Sequence, residues 1–273
     1  MKSRNYAAFI SAITLFALLS FPIGASATHS WNNYHWARTS NPFNLKIVDS
    51  NTPDWDGELD LAMSDWSVST VLNLIDGAAD DGSRTRKRCV MVSGQVRSCN
   101  AAYGFNGWLG LASINISGSH ITQGSSKMND SYFSDTVRYN DIARRHVMCQ
   151  EIGHTLGLGH QSENGDDLNT CMDYANALDN PSPNAHDYAQ LESIYSHLDS
   201  TTTVSSFSAF AANMFGDDPD APHNWGRLVS QSANGRSSYY ELDNGNGNKT
   251  ARHVFWTQEA ADRCRGCDHR YDH

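Results

Sequence analysis

An α+β fold is predicted by two patterns that alternate along the chain. Three short apolar or alternating runs are typical of strands, at residues 43–48, 71–75 and 108–116. Two stretches repeat apolar side chains at intervals of three and four, as helices with one buried face do, at residues 55–67 and 184–195. In the first of these helices the apolar positions are Leu59, Ala62, Met63 and Trp66.

A further helix is predicted from Asn140 or Asp141, either of which can cap its first turn, to Leu156. Gly153 inside this helix costs about 1 kcal/mol relative to alanine, so its presence suggests close packing against a neighbour. The polar stretch at residues 118–140 and the basic run at 84–88 are predicted to be loops.

The first 27 residues have the composition of a secretory signal peptide. Lys2 and Arg4 precede an apolar run at residues 6–21, which is too short to span a bilayer comfortably. Ala25-Ser26-Ala27 then forms an A-x-A cleavage site. We therefore expect a secreted, extracellular protein without a membrane anchor after cleavage; an uncleaved anchor is the less favoured alternative.

The remaining chain divides near residue 198. Residues 28–198 are expected to form one domain, whereas residues 199–273 are rich in Ser, Thr, Gly and Asn, with too few aliphatic residues for an assured core. This C-terminal extension is compatible with a small substrate-binding module, with a partly ordered segment wrapped around the domain, or with a tail. Composition does not choose among the three, and it gives no oligomeric state.

The net charge restricts the partners. The chain has 20 basic and 30 acidic residues, a formal net charge of −10, and the acidic residues are scattered. A surface of this sign argues against a nucleic-acid partner.

Six cysteines in a chain with a predicted signal peptide favour disulfides. Six cysteines allow fifteen pairings, and local spacing suggests two pairs, Cys89–Cys99 and Cys264–Cys267. The first pair would close a predicted hairpin of residues 89–91 and 95–99. Cys149 and Cys171 remain, and they either pair with each other or leave Cys149 as a thiolate metal ligand. The side chain of Cys149 points about 100° away from that of Gln150, which disfavours the thiolate.

Residues 149–160 read C-Q-E-I-G-H-T-L-G-L-G-H and contain the strongest functional motif. On a helix, Gln150 and His154 share one face, and Glu151 lies beside them. The glycines that follow allow a sharp turn, which can bring His160 back to the same point. Imidazole is a preferred zinc ligand, and three protein ligands with one open position are typical of a catalytic site.

The motif resembles H-E-x-x-H-x-x-G-x-x-H of the metzincin zinc proteases, with Gln150 at the first ligand position as in gametolysin-type members. Residues 171–174, C-M-D-Y, resemble the Met-turn of the same clan. The resemblance, to matrixin- and astacin-like catalytic domains, covers about residues 43–198. It implies a twisted, mostly parallel five-stranded sheet, a long helix that carries zinc ligands, and an edge strand at residues 108–116 that pairs with an extended substrate.

The resemblance also implies a function, that of a secreted zinc-dependent endopeptidase with protein or peptide substrates. Gln150, His154 and His160 would hold the Zn²⁺, and Glu151 would take a proton from a water on the metal. Met172 would form the hydrophobic floor of the site. Tyr174 corresponds to a tyrosine that in astacins and serralysins ligates zinc or stabilises the tetrahedral intermediate; a packed aromatic is the alternative.

Gln150 leaves three outcomes open, because an amide oxygen is a weaker donor to zinc than imidazole. It binds the ion, the site uses two histidines and extra water, or the site is inactive. The alternative function is a catalytically silent secreted binding protein that retains the protease fold, and a third is a domain stabilised by its metal. His146 is not a ligand candidate, because it lies about 12 Å along the helix axis from His154.

Overall fold

The computed structural model describes residues 29–162, 164–205 and 220–271, so the predicted signal peptide lies outside the described residues. The first half contains β1 (His35–Trp36), β2 (Phe43–Ser50), α1 (Asp56–Trp66), β3 (Leu72–Asp76), α2 (Ser83–Arg88), β4 (Val96–Ala101), β5 (Trp108–Ser117) and β6 (His120–Asn129). The second half contains α3 (Asp130–Phe133), α4 (Asp141–Thr155), α5 (Ala185–Ile194), β7 (Arg227–Gln231), β8 (Ser237–Gly245), β9 (Asn248–Trp256) and α6 (Gln258–Arg263). Short 3-10 turns occupy Pro222–Asn224 and His269–Tyr271.

The strands of the described residues form one mixed sheet. It has nine strands in the order β3-β2-β4-β6-β5-β9-β8-β7, with β1 pairing to β6 off this path. Strands β2, β3, β4 and β6 pair in parallel, whereas β5, β7, β8 and β9 pair in antiparallel fashion. The expectation of a five-stranded, mostly parallel sheet was therefore wrong: the sheet is larger, and antiparallel ladders hold most of its paired residues.

The three C-terminal strands join the sheet although they contain few aliphatic residues. Their buried surface is mainly aromatic. Trp225, Tyr240 and Trp256 are at most 1% exposed and form a second core cluster with Trp108 of β5. Buried aromatic side chains supply large apolar areas, so few aliphatic residues are needed. Strand β9 pairs with β5 over its full length. The prediction that β5 is an open edge was therefore wrong, because the C-terminal strands cover that edge.

Three local predictions between residues 84 and 140 were also wrong. The basic run forms helix α2, and β4 pairs in parallel with β2 and β6 instead of forming a hairpin with residues 89–91. The stretch predicted to be loop contains β6 and α3. Strand β6 is polar in composition, yet residues 124–129 are buried, because polar side chains such as Lys127 find partners inside the fold.

Other predicted elements are present. The four apolar positions of α1 are buried, α4 has Asn140 as its N-cap, and α5 has Asn184 in a capping box. Helix α4 packs against α1, where the Trp66 indole nitrogen donates to the carbonyl oxygen of Cys149 at 3.0 Å. The interior of this domain therefore closes around α4.

All six cysteines are paired, as Cys89–Cys99, Cys149–Cys171 and Cys264–Cys267. The two locally suggested disulfides are confirmed. The remaining bond joins α4 to the segment at residues 171–174, which rules out Cys149 as a thiolate ligand. Three disulfides are compatible with an oxidising compartment. Among the described helices, none combines the length and the apolarity needed to cross a bilayer.

A buried cluster of charges joins the C-terminal strands to the centre of the sheet. Asp220 receives Lys127 Nζ at 3.1 Å and Arg252 Nε at 3.0 Å, and the Ser113 hydroxyl donates to it at 2.9 Å. Burial alone would raise the pKa of the Asp220 carboxyl, but the two cations hold it at about 2. The cluster links β5, β6 and β9, so it stabilises the covered edge of β5.

We predict that Asp220→Asn lowers the free energy of unfolding at pH 7 by about 3 kcal/mol, because it removes the buried carboxylate that faces both Lys127 and Arg252. Since the folded pKa lies below the unfolded one, Asp220 contributes about 2 kcal/mol above pH 4, and this is lost as pH falls towards 2. Urea unfolding at pH 7 and between pH 4 and 2 measures both effects. Asp262→Asn, at an exposed pair with Arg265, is the control and should change little; equal effects of the two substitutions would contradict the prediction.

Gly153→Ala tests the close packing of α4. A Cβ at residue 153 would lie 2.6 Å from Trp66 and 2.7 Å from the Met172 sulfur. The helix preference of alanine, about 1 kcal/mol, is outweighed by overpacking, so we expect a net loss of about 1–2 kcal/mol in the free energy of unfolding.

Gly57→Ala in α1 is the matched control, since a Cβ there meets nothing within 4 Å. This variant should be as stable as the parent or slightly more stable. If both alanine variants are stabilised in urea denaturation, the packing argument for Gly153 is wrong.

Candidate metal centre

The C-terminal half of α4 carries three of the predicted site residues into the interior. Gln150, Glu151 and His154 are each 0% exposed. The chain leaves the helix at Gly157, whose φ is +94° and whose Cβ, if present, would lie 2.1 Å from the carbonyl oxygen of Tyr34. Only glycine tolerates both conditions. The turn returns His160 to the helix end, where its ring centroid lies 4.6 Å from that of His154.

Both imidazoles are oriented by their neighbours. His154 Nδ1 donates to the carbonyl oxygen of Leu158 at 2.8 Å, which leaves the lone pair on Nε2. Trp31 stacks on the His154 ring at 4.9 Å, and Tyr174 stacks on the His160 ring at 3.9 Å. Burial lowers the pKa of both histidines well below the usual range, and neighbouring histidines add to the shift. Both rings are therefore neutral at pH 7, the form that binds metals.

Four buried polar atoms of this cluster have no hydrogen-bond partner within the described residues. They are His154 Nε2, His160 Nε2, Gln150 Oε1 and Glu151 Oε1. The amide nitrogen of Gln150 donates to the carbonyl oxygen of Cys171 at 2.9 Å, which leaves its oxygen as the free acceptor. Each unsatisfied buried group costs about 1–3 kcal/mol. The ligand atoms of His154 and His160 lie within 4.8 Å of each other, so a divalent metal ion fits these two residues, and the free oxygen of Gln150 is the candidate third donor.

Glu151 lies beside these donors in the position of an acid or base. Burial raises the pKa of its carboxyl well above the usual range, although the Ala112 N–H donates to it. Gly110 of β5 makes room for the carboxyl, since a Cβ there would lie 2.5 Å from Glu151 Oε1. A raised pKa makes this carboxyl better suited to accept a proton from a reacting group and to return it.

His253 of β9 is the residue that sequence reasoning missed. Its ligand atom and those of His154 and His160 all lie within 4.8 Å of one another. Its Nδ1 lies 3.1 Å from Glu151 Oε2, and its Nε2 lies 2.5 Å from the hydroxyl of Ser237. Burial lowers the pKa of His253 to about 3. A single histidine in a polar strand gives no motif, and only the pairing of β9 with β5 brings it here.

The remaining predicted residues have clear positions. Met172 is fully buried below α4, with its sulfur beside Gly153. Tyr174 is 7% exposed and forms part of the cavity wall. His146 is fully buried, and its Nδ1 lies 2.9 Å from the carbonyl oxygen of Asn180, so it is a packing residue.

A cavity of about 340 Å³ opens onto the cluster. Its walls come from the N-terminal segment, the turn after α4 and the C-terminal strands, and they include Trp31, His160, Tyr174, Tyr239 and His253. His160 and His253 are therefore the members of the cluster that a small molecule in the cavity meets first.

No protein-family model matches this chain, and no curated protein sequence matches it.

The metal donors can be ranked by substitution. We expect His154→Ala and His160→Ala to lower zinc affinity by roughly 100-fold or more, since even a residue that only orients a ligand costs 10–100-fold. Gln150→His should raise the affinity, because imidazole is the stronger donor. His253→Ala should change it by only a few-fold, because both nitrogens of His253 already have partners.

Competition for zinc against a chromophoric chelator measures these affinities, with His223→Ala at an exposed position as the control. If His253→Ala weakens binding as much as His154→Ala, His253 is a ligand. If Gln150→His has no effect, Gln150 is not.

Proposed function

We propose that this protein is a zinc-dependent peptide hydrolase, with Gln150, His154 and His160 as the metal ligands and Glu151 as the general base. One observation carries the proposal: two neutral imidazoles and an amide oxygen are buried without partners beside a carboxyl of raised pKa. Nitrogen and neutral oxygen donors in a set of three suit zinc with an open position. The resemblance of residues 150–160 and 171–174 to the metzincin motifs supports the same chemistry.

A bound zinc ion supplies Lewis acidity, which polarises a carbonyl group and lowers the pKa of water. The protein's own contribution is to position groups around that chemistry. Glu151 accepts a proton and returns it to the leaving amine, a role that its burial supports by raising its pKa. Tyr174 holds the His160 ring by stacking, and a role for its hydroxyl in stabilising an oxyanion remains a proposal.

The substrate enters through the cavity rather than along the sheet. Strand β9 occupies the edge of β5, so an extended peptide can pair with β5 only where β9 has separated from it. Pairing with an open sheet edge is the usual source of backbone affinity for extended peptides. We therefore infer that a short or flexible peptide segment enters the cavity past Trp31 and Tyr239 and meets His160 and His253, with Glu151 behind them. Secretion of the enzyme is supported by the predicted signal peptide and the three disulfides.

A second candidate function is a serine-type hydrolase. Ser237, His253 and Glu151 form a chain with contacts of 2.5 and 3.1 Å, the order of a nucleophile, a base and an acid. Two properties disfavour it. Burial lowers the pKa of His253 to about 3, which makes it a weak base. This chemistry also leaves His154 and His160 without a role.

Hydrolysis of an unfolded protein separates the two candidates. We expect Glu151→Gln to lower kcat/KM by at least about 100-fold, the scale of general acid–base catalysis, with zinc affinity kept within a few-fold. Ser237→Ala should keep most of the activity, and a chelator should abolish it.

Loss of activity in Ser237→Ala, together with resistance to the chelator, would establish the serine-type function instead. Zinc binding by the unmodified protein without hydrolysis of any peptide would favour a silent binding protein.

A further inference from the structure

We propose a second metal site, a structural zinc site formed by His35, His120, His197 and Asp199. None of these residues belongs to the cluster at the end of α4. His35 and His120 are register partners across the parallel pair of β1 and β6. His197 and Asp199 follow α5, so the four residues come from three segments that are distant in sequence.

Three of the four side chains, His35, His120 and Asp199, place their ligand atoms within 4.8 Å of one another. Asp199 Oδ1 lies 3.2 Å from His120 Nε2, 3.5 Å from His35 Nε2 and 3.7 Å from His197 Nε2. His35 Nε2 and His197 Nε2 are 3.2 Å apart. Four ligands placed about 2.0–2.1 Å from a zinc ion at tetrahedral angles lie about 3.3–3.4 Å from one another. The donors of His35, His120 and Asp199 are therefore close to the spacing of a shared zinc ion, and His197, which is half exposed and 3.2 Å from His35 Nε2, completes the set by moving towards His120.

Neighbouring groups hold two of these donors in the orientation that a metal requires. His35 Nδ1 donates to the carbonyl oxygen of Asn33 at 2.8 Å, which leaves its lone pair on Nε2. Arg38 Nη1 binds Asp199 Oδ2 at 2.9 Å, which turns Oδ1 towards the three imidazoles. Hydrogen bonds of this kind are the usual support of metal ligands.

The other histidine–acid group of the described residues does not share these properties. His29, His186 and Asp187 also lie close together. Both oxygens of Asp187 already accept hydrogen bonds, one from Gln161 and the other from Thr170 and the Asn184 backbone. This carboxylate is committed to capping α5, so the group serves as a comparison.

Four protein ligands leave no open coordination position, so the second site is structural rather than catalytic. An ion there fixes the N-terminal segment, because His35 is four residues from Trp31. Trp31 stacks on His154, and the backbone of His29 accepts from the Gly159 N–H at 2.8 Å. Loss of the ion would loosen the wall of the candidate hydrolytic site, so binding at the second site and activity at the first are coupled.

Zinc content of the purified full chain, measured by elemental analysis after removal of loosely bound metal, tests the proposal. We expect two equivalents in the unmodified protein, one in His154→Ala/His160→Ala, and one in His35→Ala/His120→Ala. His186→Ala in the comparison group should retain two. Zinc in the His154→Ala/His160→Ala variant should also raise the midpoint of thermal unfolding relative to the chelated protein, because binding is linked to folding.

Zero equivalents in His154→Ala/His160→Ala would overturn the second site, and so would an unchanged count in His35→Ala/His120→Ala. If the latter double variant does not fold, His120→Ala alone replaces it, since that side chain is 35% exposed; it should lose most of one equivalent. Failure of the proposed hydrolytic function is distinguishable, because a chain without peptidase activity would still retain the equivalent that depends on His35 and His120.

Discussion

Burial of neutral polar groups at the end of α4 is the constraint on which the rest of this structure depends. Gln150, Glu151 and His154 have no exposed surface, so each is stable there only if it is uncharged, has a hydrogen-bond partner or binds an ion. The direction of every resolved pKa shift in the cluster follows from this: the carboxyl is raised and the imidazoles are lowered. The histidines of the site are therefore uncharged at neutral pH, which is the form that binds a divalent cation.

Both ends of the described chain cover this cluster. Trp31 stacks on His154 from the N-terminal side, and His253 reaches Glu151 from the C-terminal side. Contacts outside the cluster hold both segments in place. The N-terminal segment is held where His35 and His120 contact Asp199, and strand β9 is held by the ion pairs of Asp220. The cavity is small because Trp31 and His253 occupy space that an open cleft would leave to solvent. Access to Glu151 thus depends on contacts made far along the chain from the motif.

Predictions from local pattern succeeded where the pattern depends on burial of one face. Helix α1 buries the four apolar residues expected of it, and Asn140 and Asn184 cap their helices because their side chains satisfy free backbone N–H groups. Prediction failed for β6 and for the C-terminal strands. Strand β6 is polar, and its burial is possible only because Asp220 and other distant residues pair with it. The C-terminal strands rely on a few aromatic residues, and composition alone could not say where those would pack.

From its order of residues alone, the chain specified the helix with Gln150, Glu151 and His154, the turn that returns His160, and the disulfide partners at short spacing, because all of these follow from local geometry. The tertiary structure alone decided that β9 covers β5, that His253 meets Glu151, and that His35, His120 and Asp199 converge. Such contacts join segments more than 75 residues apart, and no local periodicity encodes them. They arise because strand edges and buried polar groups must find partners wherever the folded chain supplies them.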